Sequence, residues 1–557
     1  MPQPAFTPDA APRRLLPPTD DTTSIDLHDA AHAAALERAL AATLPPHRLM
    51  QTAGLAVARL ARALAPHAHR VIVLAGPGNN GGDGFEAAAR LRASHPSLDL
   101  ALFWLGRGAA QPADAHAARL RAEAAGVAIA PIDTASTATT LDALCATLAE
   151  ADADTIVIDA LLGRGLNRPA DGDLARLIEA LAAGAARVLA VDLPSGLNGD
   201  TGTWPERREG RRAPIVRADA TLALLSPSPG LFTGDGRDAV GELWWHDLDT
   251  ASLAQVANVP AQARLERGEA LSTLLQPRPH RQHKGSVGDL WVVGGDAAMQ
   301  GAAWLAARAA LHLGAGRVHV DRLDAAGLCL DPGQPELMVG RRADPAELAR
   351  STVVAGCGGG PAIAARLGEL LSASARLVLD ADALNAVSTD AVLQAGLLAR
   401  AHQGLPSVLT PHPLEAARLL GCTIAEVQRD RLAATRALAS RYRCTALLKG
   451  SGTIVCGPQD DAVPSINGSG NAALATPGSG DVLAGALGAL WSRAAAASCD
   501  ADRIDANRCA TLATRAAVDL HGRVAQSMSL SGEALPASWL ASGLGDALRR
   551  RGPGHLG

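Results

Sequence analysis

The 557-residue sequence lacks several features that mark other classes of protein. Its formal net charge is −5 and it has no clustered basic stripe, which argues against a nucleic-acid partner. Its eight cysteines show no C-x-x-C spacing, which argues against a zinc site or a disulfide framework. No apolar run approaches the ~20 residues of a membrane span, and the Pro-rich N-terminus lacks the order of a signal peptide. These absences predict a soluble cytoplasmic protein with no nucleic-acid or membrane partner.

The sequence instead alternates Val/Ile/Leu runs with Ala-rich stretches, which is the β-α-β pattern of doubly wound α/β folds. A chain of this length can form two or three domains, each with its own core. The clearest boundary lies in residues 251–283, which end in a polar, Pro-rich run. We therefore predict an α/β protein with a first domain over residues 1–255, a linker over 256–283 and a second domain over 284–557.

The most informative motif is Thr476-Pro-Gly-Ser-Gly-Asp481, which leads into an apolar, helix-compatible stretch. Unpaired amides at a helix N-terminus carry the positive end of the helix dipole and can bind phosphate oxygens. An aspartate in the first turn is then placed to take a proton from a hydroxyl that attacks the phosphate. A simple glycine turn with an aspartate N-cap is the alternative explanation.

Three more segments of the C-terminal half place polar groups directly after predicted strands. They are Leu447-Leu-Lys449-Gly-Ser-Gly-Thr453, Val378-Leu-Asp380-Ala-Asp382-Ala-Leu-Asn385 and Val408-Leu-Thr410-Pro-His412-Pro-Leu-Glu415. The carboxyl ends of parallel strands line one crevice, which is where ligands bind in such sheets. Together with the glycine loop before Asp481, these strand ends predict a single ligand site.

The N-terminal half has its own glycine-rich loop, Gly76-Pro-Gly-Asn-Asn-Gly-Gly-Asp-Gly84, between an apolar run and a helical pattern. Strand, anion-binding loop and helix follow one another in this way at nucleotide-phosphate sites. A structural tight turn would also explain the loop taken alone. Two further predicted strands end in Asp159 and Asp192, and they favour a second binding site.

The C-terminal motifs, with Lys284-Gly-Ser-Val-Gly-Asp289 and Gly301-Ala-Ala303, resemble the ADP- or ATP-dependent NAD(P)H-hydrate dehydratases over roughly residues 280 to 530. The N-terminal motifs resemble the NAD(P)H-hydrate epimerases over roughly residues 25 to 250. The resemblance implies a ribokinase-like C-terminal fold and a Rossmann-like, three-layer N-terminal fold. It also implies the repair of NADHX and NADPHX: epimerisation of their R and S forms, and dehydration of the S form with ADP, or ATP, Mg²⁺ and K⁺. A homo-oligomer is expected.

For the dehydratase half, the resemblance implies that Asp481 is the general base and that the amides of residues 478–480 form an anion hole. It implies that the hydrated dinucleotide is held by Ala302, Gly358 and His412. The nucleotide-binding residues that it implies are Lys449, Gly450, Ser451, Gly452, Thr453, Gly480 and Asp481.

For the epimerase half, the resemblance implies that Asp159 is the catalytic carboxylate and that Asn80, Asp159 and Ser195 hold a potassium ion. Oxygen ligands from strand ends suit such a hard cation. The dinucleotide-binding residues that the resemblance implies are Asn79, Asn80, Gly81, Gly82, Asp83, Gly163, Arg164, Gly165, Leu166, Asn167, Arg168, Pro169 and Asp192.

Three positions differ from what is common in these families. Cys357 lies in a Gly-rich segment where the family commonly has Gly-Pro-Gly-Leu-Gly, so we expect a less rigid loop. Leu414 replaces a frequent glycine. Ser228 stands where many epimerases have a lysine, so the lysine is dispensable, a group such as Arg164 replaces it, or the domain binds without rapid turnover. We expect an active but slower epimerase.

Two other functions stay open at this stage. A ribokinase-like kinase of a small vitamin-precursor alcohol would share the glycine loop and its aspartate. In the second alternative, the N-terminal half is a nucleotide-binding module without catalytic activity. A stable phosphorylated product would identify the kinase, and binding without interconversion of the R and S hydrates would identify the module. The preferences for ADP or ATP, and for NADHX or NADPHX, also stay open.

Overall fold

The computed structural model describes residues 11–16, 23–106, 110–132, 138–166, 168–203, 212–251, 258–274, 280–324, 326, 330–459, 462–497, 505–529 and 533–550. The described chain divides into two compact units. The first consists of described residues in 11–16 and 26–263, and the second of those in 23–25 and 264–550.

The first unit alternates strands and helices along most of its length. Its strands are β1 (Arg13–Leu16), β3 (Arg70–Ala75), β4 (Asp99–Leu105), β5 (Ile129–Ile132), β6 (Thr155–Ala160), β7 (Arg187–Val191), β8 (Ala220–Leu224) and β9 (Glu242–His246), and the short strand β2 (Ile25–Leu27) lies at the boundary of the units. Its helices are α1 (Ala30–Ala41), α2 (Arg48–Leu64), α3 (Asn79–Ser94), α4 (Ala113–Ala124), α5 (Ala138–Ala149), α6 (Gly172–Ala183) and α7 (Gly236–Ala239).

The sheet of the first unit has the order β1-β9-β8-β7-β6-β3-β4-β5, and β3 to β9 pair in parallel. Alternate residues of β3 enter different cores: Val71 and Val73 pack with α2 to α4, whereas Ile72 and Leu74 pack with α5 and α6. A sheet buried on both faces explains why its strands read as continuous apolar runs. The result is three layers, with the strand order reversing at β3.

The second unit is also an alternation of strands and helices. Its strands are β10 (Ala263–Glu266), β11 (Asp289–Gly294), β12 (Arg317–Arg322), β13 (Met338–Val339), β14 (Thr352–Ala355), β15 (Arg376–Leu379), β16 (Ser407–Leu409), β17 (Thr445–Leu448), β18 (Ile454–Cys456) and β19 (Ser465–Asn467). Its helices are α8 (Glu269–Leu274), α9 (Gln300–His312), α10 (Pro345–Leu348), α11 (Ala364–Ala373), α12 (Asp382–Thr389), α13 (Ala391–His402), α14 (Pro413–Leu420), α15 (Ile424–Arg429), α16 (Arg431–Tyr442), α17 (Ser479–Ala497), α18 (Ala506–Met528) and α19 (Ala537–Arg550).

The sheet of the second unit runs in the order β13-β12-β11-β14-β15-β16-β17-β18-β19-β10, parallel from β13 to β17 and antiparallel around β18. Leu290 and Val292 of β11 pack against α9, α17 and α18, whereas Trp291 and Val293 pack against the helices on the other face. The strand order reverses at β11. Both units are therefore layered α/β structures, which confirms the predicted fold class.

Of the predicted linker, residues 256–283, two parts are regular structure. Ala263–Glu266 form β10, which pairs in parallel with β19, and Glu269–Leu274 form α8. From Arg264 onward these residues belong to the second unit, and Leu271 packs into its core. Among the described helices, none combines the length and the apolar composition that a membrane crossing needs.

Candidate active sites

The first candidate site lies at the N-terminus of α17. Gly478 has a φ of +89°, which a residue with a side chain adopts only with strain, and its carbonyl accepts the Val482 N–H at 3.1 Å. The amides of Gly480 and Asp481 lie in this first turn, where a helix offers them no acceptor. Burial lowers the pKa of His521 to about 4, and its Nε2 lies 3.1 Å from the Ser479 carbonyl oxygen. The neutral imidazole thus supports the turn through its contact with the Ser479 carbonyl oxygen.

Asp481 stands in this turn among other polar groups. The Cys357 sulfur and carboxylate oxygens of Asp380 and Asp481 all lie within 4.8 Å of one another. Burial, with a contribution from the charge of Asp380, raises the pKa of Asp481 to about 6, although Cys357 and Lys449 act in the opposite direction. A carboxylate that is ionised near neutral pH and yet basic is suited to general base catalysis.

The half-buried Lys449 forms an ion pair with the buried Asp380 beside the same turn. The Lys449 Nζ lies 2.7 Å from Asp380 Oδ1, which also accepts the Thr410 hydroxyl at 2.7 Å. A Cβ at Gly480 would lie 3.5 Å from the Lys449 Nζ. Burial alone would lower the pKa of Lys449, but Asp380 and Glu415 more than offset it and the pKa is raised. Lys449 is therefore a half-buried cation held at the site by Asp380.

The segment after Lys449 is exposed at its start. Gly450 and Ser451 are exposed, and Gly450 and Gly452 have φ values of +129° and +62°. A Cβ at Gly450 would lie 3.0 Å from the buried guanidinium of Arg431, which also donates to the Lys449 carbonyl at 3.2 Å. The turn of residues 450–453 is thus supported by Arg431 from below, and its first two residues are exposed.

The glycine-rich segment 355–360 faces the same site and is held by backbone contacts. The Cys357 carbonyl accepts the Gly295 N–H at 3.0 Å, and the Gly358 carbonyl accepts the Asp296 N–H at 2.7 Å. A Cβ at Gly358, where φ is +57°, would lie 2.8 Å from the Cβ of Ala302. The structure therefore brings the predicted residues Gly358 and Ala302 together at the point where the strand order reverses.

His412 caps α14 at the next strand end. Its Nδ1 accepts the amides of Leu414 at 3.1 Å and Glu415 at 3.3 Å, so we assign the proton to Nε2, which lies 3.2 Å from Glu415 Oε1. Burial and the charge of Lys449 lower the pKa of His412. Asp382 and Asn385 bind protein groups, since Asp382 accepts the Gly360 N–H at 2.8 Å and Asn385 accepts from Arg418 at 2.6 Å.

The second candidate site lies where the strand order of the first unit reverses. Asn80 Nδ2 donates to the Leu162 carbonyl at 2.9 Å, and Asn80 Oδ1 is buried without a hydrogen-bond partner among the described residues. Ser195 Oγ donates to Asp159 Oδ1 at 2.6 Å and accepts the Leu162 N–H at 2.9 Å. The amide oxygen without a partner, the carboxylate and the hydroxyl are oxygen ligands of the kind that a hard cation prefers.

Asp159 is fully buried, and its carboxylate accepts three hydrogen bonds. Besides the Ser195 hydroxyl, the Ser195 N–H lies 2.9 Å from Oδ2 and the Leu161 N–H lies 3.3 Å from Oδ1. Burial raises the pKa of Asp159 to about 6, although these hydrogen bonds oppose it. Asp159 thus lies behind Ser195 and the Leu161–Leu162 backbone, not in an open cleft.

A guanidinium occupies the end of β8, close to Ser226. Arg164 makes a bidentate ion pair with Asp192 at 3.0 Å for both contacts, and its NH2 also donates to the carbonyls of Leu224 and Ser226. The Arg164 NH1 is buried without a partner among the described residues, as is the hydroxyl of Ser228. A fixed positive charge therefore lies at the end of β8, the strand that Ser228 follows.

Asp83 is half-buried in the second turn of α3. Burial raises its pKa well above the usual value, with smaller contributions from the charges of Asp192, Glu37 and Glu86. The loop before it needs its glycines, because a Cβ at Gly81 would lie 2.0 Å from the Gly76 carbonyl oxygen.

The other predicted residues of this half lie around the same edge. Asn79 and Gly165 are exposed, Gly82 is buried, and a Cβ at Gly163 would lie 3.4 Å from the Cβ of Asn80. Asn167 lies outside the described residues. Of the remaining members of the segment, Leu166 and Pro169 are half-buried and Arg168 is exposed.

The strand ends that carry Asp380 and Thr410 were predicted to share a site with the Asp481 loop, but no role was assigned to either residue. Sequence reasoning missed two other neighbours of the Asp481 turn, His521 and the Cys357 thiol. Nothing in the sequence indicated that the α18 histidine would reach Ser479.

Two family models match the chain: one described as NAD(P)H-hydrate dehydratase over residues 290–533, and one described as YjeF-related protein N-terminus over residues 46–230. The chain is 34% identical over 457 residues to the bifunctional NAD(P)H-hydrate repair enzyme of Escherichia coli strain K12, covering 80% of each protein. It is 33% identical over 492 residues to the bifunctional NAD(P)H-hydrate repair enzyme of Leishmania braziliensis, covering 83% of each.

Two further similarities concern the second unit. The ADP-dependent (S)-NAD(P)H-hydrate dehydratase of Neisseria meningitidis serogroup B is 44% identical over 230 residues, which are 40% of this chain and 74% of that protein. The crystal structure of the ADP/ATP-dependent NAD(P)H-hydrate dehydratase from Bacillus subtilis, co-crystallised with ATP and Mg²⁺, aligns at 25% identity with a TM-score of 0.39. That alignment covers 50% of this chain and 95% of the Bacillus chain.

Proposed function

This chain belongs to the family of bifunctional NAD(P)H-hydrate repair enzymes, and on that premise we propose how its two units divide the work. The first unit interconverts the R and S forms of NADHX and NADPHX. The second unit dehydrates the S form to NADH or NADPH and consumes ADP, giving AMP and phosphate. Both substrates are small molecules.

In the second unit, Asp481 takes the proton of the hydroxyl on the hydrated nicotinamide ring. The amides at the start of α17 stabilise the charge of the phosphoryl group while it passes from ADP to that hydroxyl. The half-buried cation of Lys449, next to Gly480, adds a fixed positive charge. Loss of phosphate, with loss of a proton from the neighbouring ring carbon, then restores the double bond. The turn 450–453 supports the nucleotide, and Ala302, Gly358 and His412 support the dinucleotide.

The observation that carries this assignment is the position of Asp481, whose pKa is raised to about 6, in the first turn of a helix beside Lys449 and Asp380. The test uses purified protein, ADP, Mg²⁺ and the pure S hydrate of NADH, with recovered NADH absorbance and inorganic phosphate measured together. One phosphate for each NADH supports the dehydratase. A stable phosphorylated product without NADH would support the kinase of a small alcohol instead.

In the first unit, we propose that Asn80, Asp159 and Ser195 hold a potassium ion. The support is the orphaned Asn80 amide oxygen beside the Asp159 carboxylate and the Ser195 hydroxyl. Such an ion supplies a fixed positive charge near the bound dinucleotide. Ser195→Ala removes one oxygen ligand, so it should raise the K⁺ concentration at which epimerisation is half-maximal. Dehydration of the S form by the same variant serves as the control.

Proton transfer in the epimerase needs a carboxyl that can reach the substrate. Asp159 is fully buried and accepts three hydrogen bonds, so its role as a cation ligand has more support than a role as acid or base. Asp83 is half-buried, has a raised pKa and lies near the N-terminus of α3, in the segment predicted to bind the dinucleotide. We propose Asp83 as a second candidate for proton transfer. Added K⁺ should partly restore epimerisation in Asp159→Asn but not in Asp83→Asn.

Arg164 supplies the positive charge that a lysine provides in many epimerases. Its ion pair with Asp192 and its bonds to two carbonyls fix the guanidinium at the end of β8. Arg164→Gln should therefore slow epimerisation strongly, and adding Ser228→Lys to that variant should recover part of the rate. If Arg164→Gln epimerised the hydrates at the wild-type rate, Arg164 would not replace the lysine. If that shared rate also equalled the spontaneous rate, the first unit would be a binding module.

The finer properties of the enzyme are also proposals. We propose ADP as the preferred nucleotide, with Mg²⁺, because the Neisseria relative is named for its dependence on ADP. We keep the expectation of a cytoplasmic homo-oligomer. Light scattering of the purified chain tests the oligomer, and initial rates with ADP and ATP at equal concentrations test the nucleotide.

A further inference from the structure

We propose that Cys357 is a positioning residue of the dehydratase site, whose thiol S–H donates a hydrogen bond to the Asp481 carboxylate and keeps it aimed at the substrate hydroxyl. This inference rests on the proposed role of Asp481 as general base. It concerns a residue that the family pattern does not supply, because the common residue in this part of the segment is proline and proline has no side-chain donor.

The first support is the arrangement of the side chains. Cys357 is fully buried, and its sulfur lies in the same 4.8 Å cluster as the oxygens of Asp380 and Asp481. Its carbonyl accepts the Gly295 N–H at 3.0 Å, which fixes the backbone that carries the thiol. The thiol therefore approaches the carboxylate from the strand end of β14, with its sulfur within 4.8 Å of a carboxylate oxygen of Asp481.

The second support is the charge state of the thiol. Burial raises the pKa of Cys357 well above its usual value, and the charges of Asp481 and Asp380 raise it further. The thiol stays protonated, so it is a donor to the carboxylate and neither a nucleophile nor a second negative charge. A hydrogen bond to the ionised form of a carboxylate stabilises that form.

Other charged groups also act on Asp481 from the elements around it. Asp380 after β15 and Asp382 of α12 oppose its ionisation, and Lys449 after β17 favours it. Glu415 of α14 acts through Lys449, and His521 of α18 is neutral. Cys357 is the neutral donor in this set. A change at Cys357 therefore alters the pKa of Asp481 without changing the net charge of the site.

The test compares the pH dependence of kcat/KM for S-hydrate dehydration in the wild type, Cys357→Ala and Cys357→Ser. Removing the donor should move the acid limb of Cys357→Ala up by about one half to one pH unit, since a thiol is a weak donor. Below that limb the variant should be about 3- to 10-fold slower than the wild type. Cys357→Ser keeps a donor, so its acid limb should coincide with the wild type or lie lower. Cys444→Ala, at another buried thiol of this unit, should leave the limb in place.

Coincident limbs for the wild type and Cys357→Ala would overturn the inference while leaving the dehydratase intact. A Cys357→Ser limb that moved up with that of Cys357→Ala would also overturn it, because a merely structural role of the cysteine would affect both variants. A wild type without activity would refute the proposed function and this inference with it.

A spectroscopic measurement tests the contact without turnover. The infrared difference between the wild type and Cys357→Ala isolates the S–H stretching band of this thiol. The band should move when pH is raised through about 6, where Asp481 ionises, and this movement should be absent in Asp481→Ala. A band that ignores both pH and the Asp481 substitution would contradict the hydrogen bond.

Discussion

Replacing Asp481 by asparagine should abolish dehydration and at the same time stabilise the second unit. Asp481 is held with a pKa of about 6 by burial and the charge of Asp380, whereas an aspartate in the unfolded chain has a pKa near 3.8. Because each pH unit of difference is worth about 1.4 kcal/mol, ionised Asp481 costs the folded state about 2 to 3 kcal/mol at neutral pH. Asparagine fills the same space without that cost.

The sign of this effect depends on pH. Above pH 6 the carboxylate is ionised in both states, and the folded state bears the full cost. Between pH 6 and 3.8 the folded state binds a proton that the unfolded state has lost, so the cost shrinks as the pH falls. The advantage of Asp481→Asn should therefore be full at pH 7.5 and nearly absent at pH 4.

The assay is thermal unfolding at both pH values with dehydration of the S hydrate measured at pH 7.5. For a unit of this size the midpoint should rise by about 5 °C at pH 7.5. The rate should fall by about 10²- to 10⁴-fold with the loss of a general base. Glu336→Gln, at an exposed carboxylate of the same unit, should change neither quantity. An Asp481→Asn variant that is less stable at pH 7.5, or equally stabilised at both pH values, would refute the reasoning.

Three further predictions concern other residues. Lys449→Met leaves Asp380 buried without its cation and should destabilise the second unit by about 3 to 5 kcal/mol; in denaturant titrations the double variant with Asp380→Asn should recover most of this loss. Gly358→Ala puts a methyl group 2.5 Å from a backbone oxygen at a φ of +57°, and should raise the KM for the hydrate, whereas Gly368→Ala, with open space around it, should not. Asp159→Asn removes a proposed K⁺ ligand, so it should slow epimerisation without changing dehydration of the pure S form, as separate assays of the R and S hydrates would show.

The parts of this structure that depend on local pattern could be predicted from the sequence. The apolar runs before Asp159, Lys449 and Asp380 are strands, because residues buried on both faces of a parallel sheet must be continuously apolar. The glycine loops before α3 and α17 lie where the patterns change from strand to helix, and both sit beside a reversal of strand order. The class of the fold follows from this alternation.

The contacts between distant segments could not be predicted in the same way. The Cys357 thiol meets Asp481 because β14 and the start of α17 converge, and no periodicity records that convergence. Arg164, which follows β6, likewise contacts Asp192 and the end of β8 because the ends of these strands lie side by side in the sheet. The predicted linker contains β10, whose pairing with β19 joins segments far apart in the chain. Such contacts depend on side-chain direction and sheet order, and these appear only in three dimensions.

The central claim is that one chain returns both epimers of hydrated NADH to NADH. The most direct measurement is absorbance at the reduced-nicotinamide band, with the purified chain, ADP, Mg²⁺, K⁺ and a mixture of R and S NADHX. We predict a rise to full conversion at a rate well above spontaneous epimerisation. A rise that stopped when the S form was consumed would contradict the role of the first unit, and no rise with either ADP or ATP would contradict the whole account.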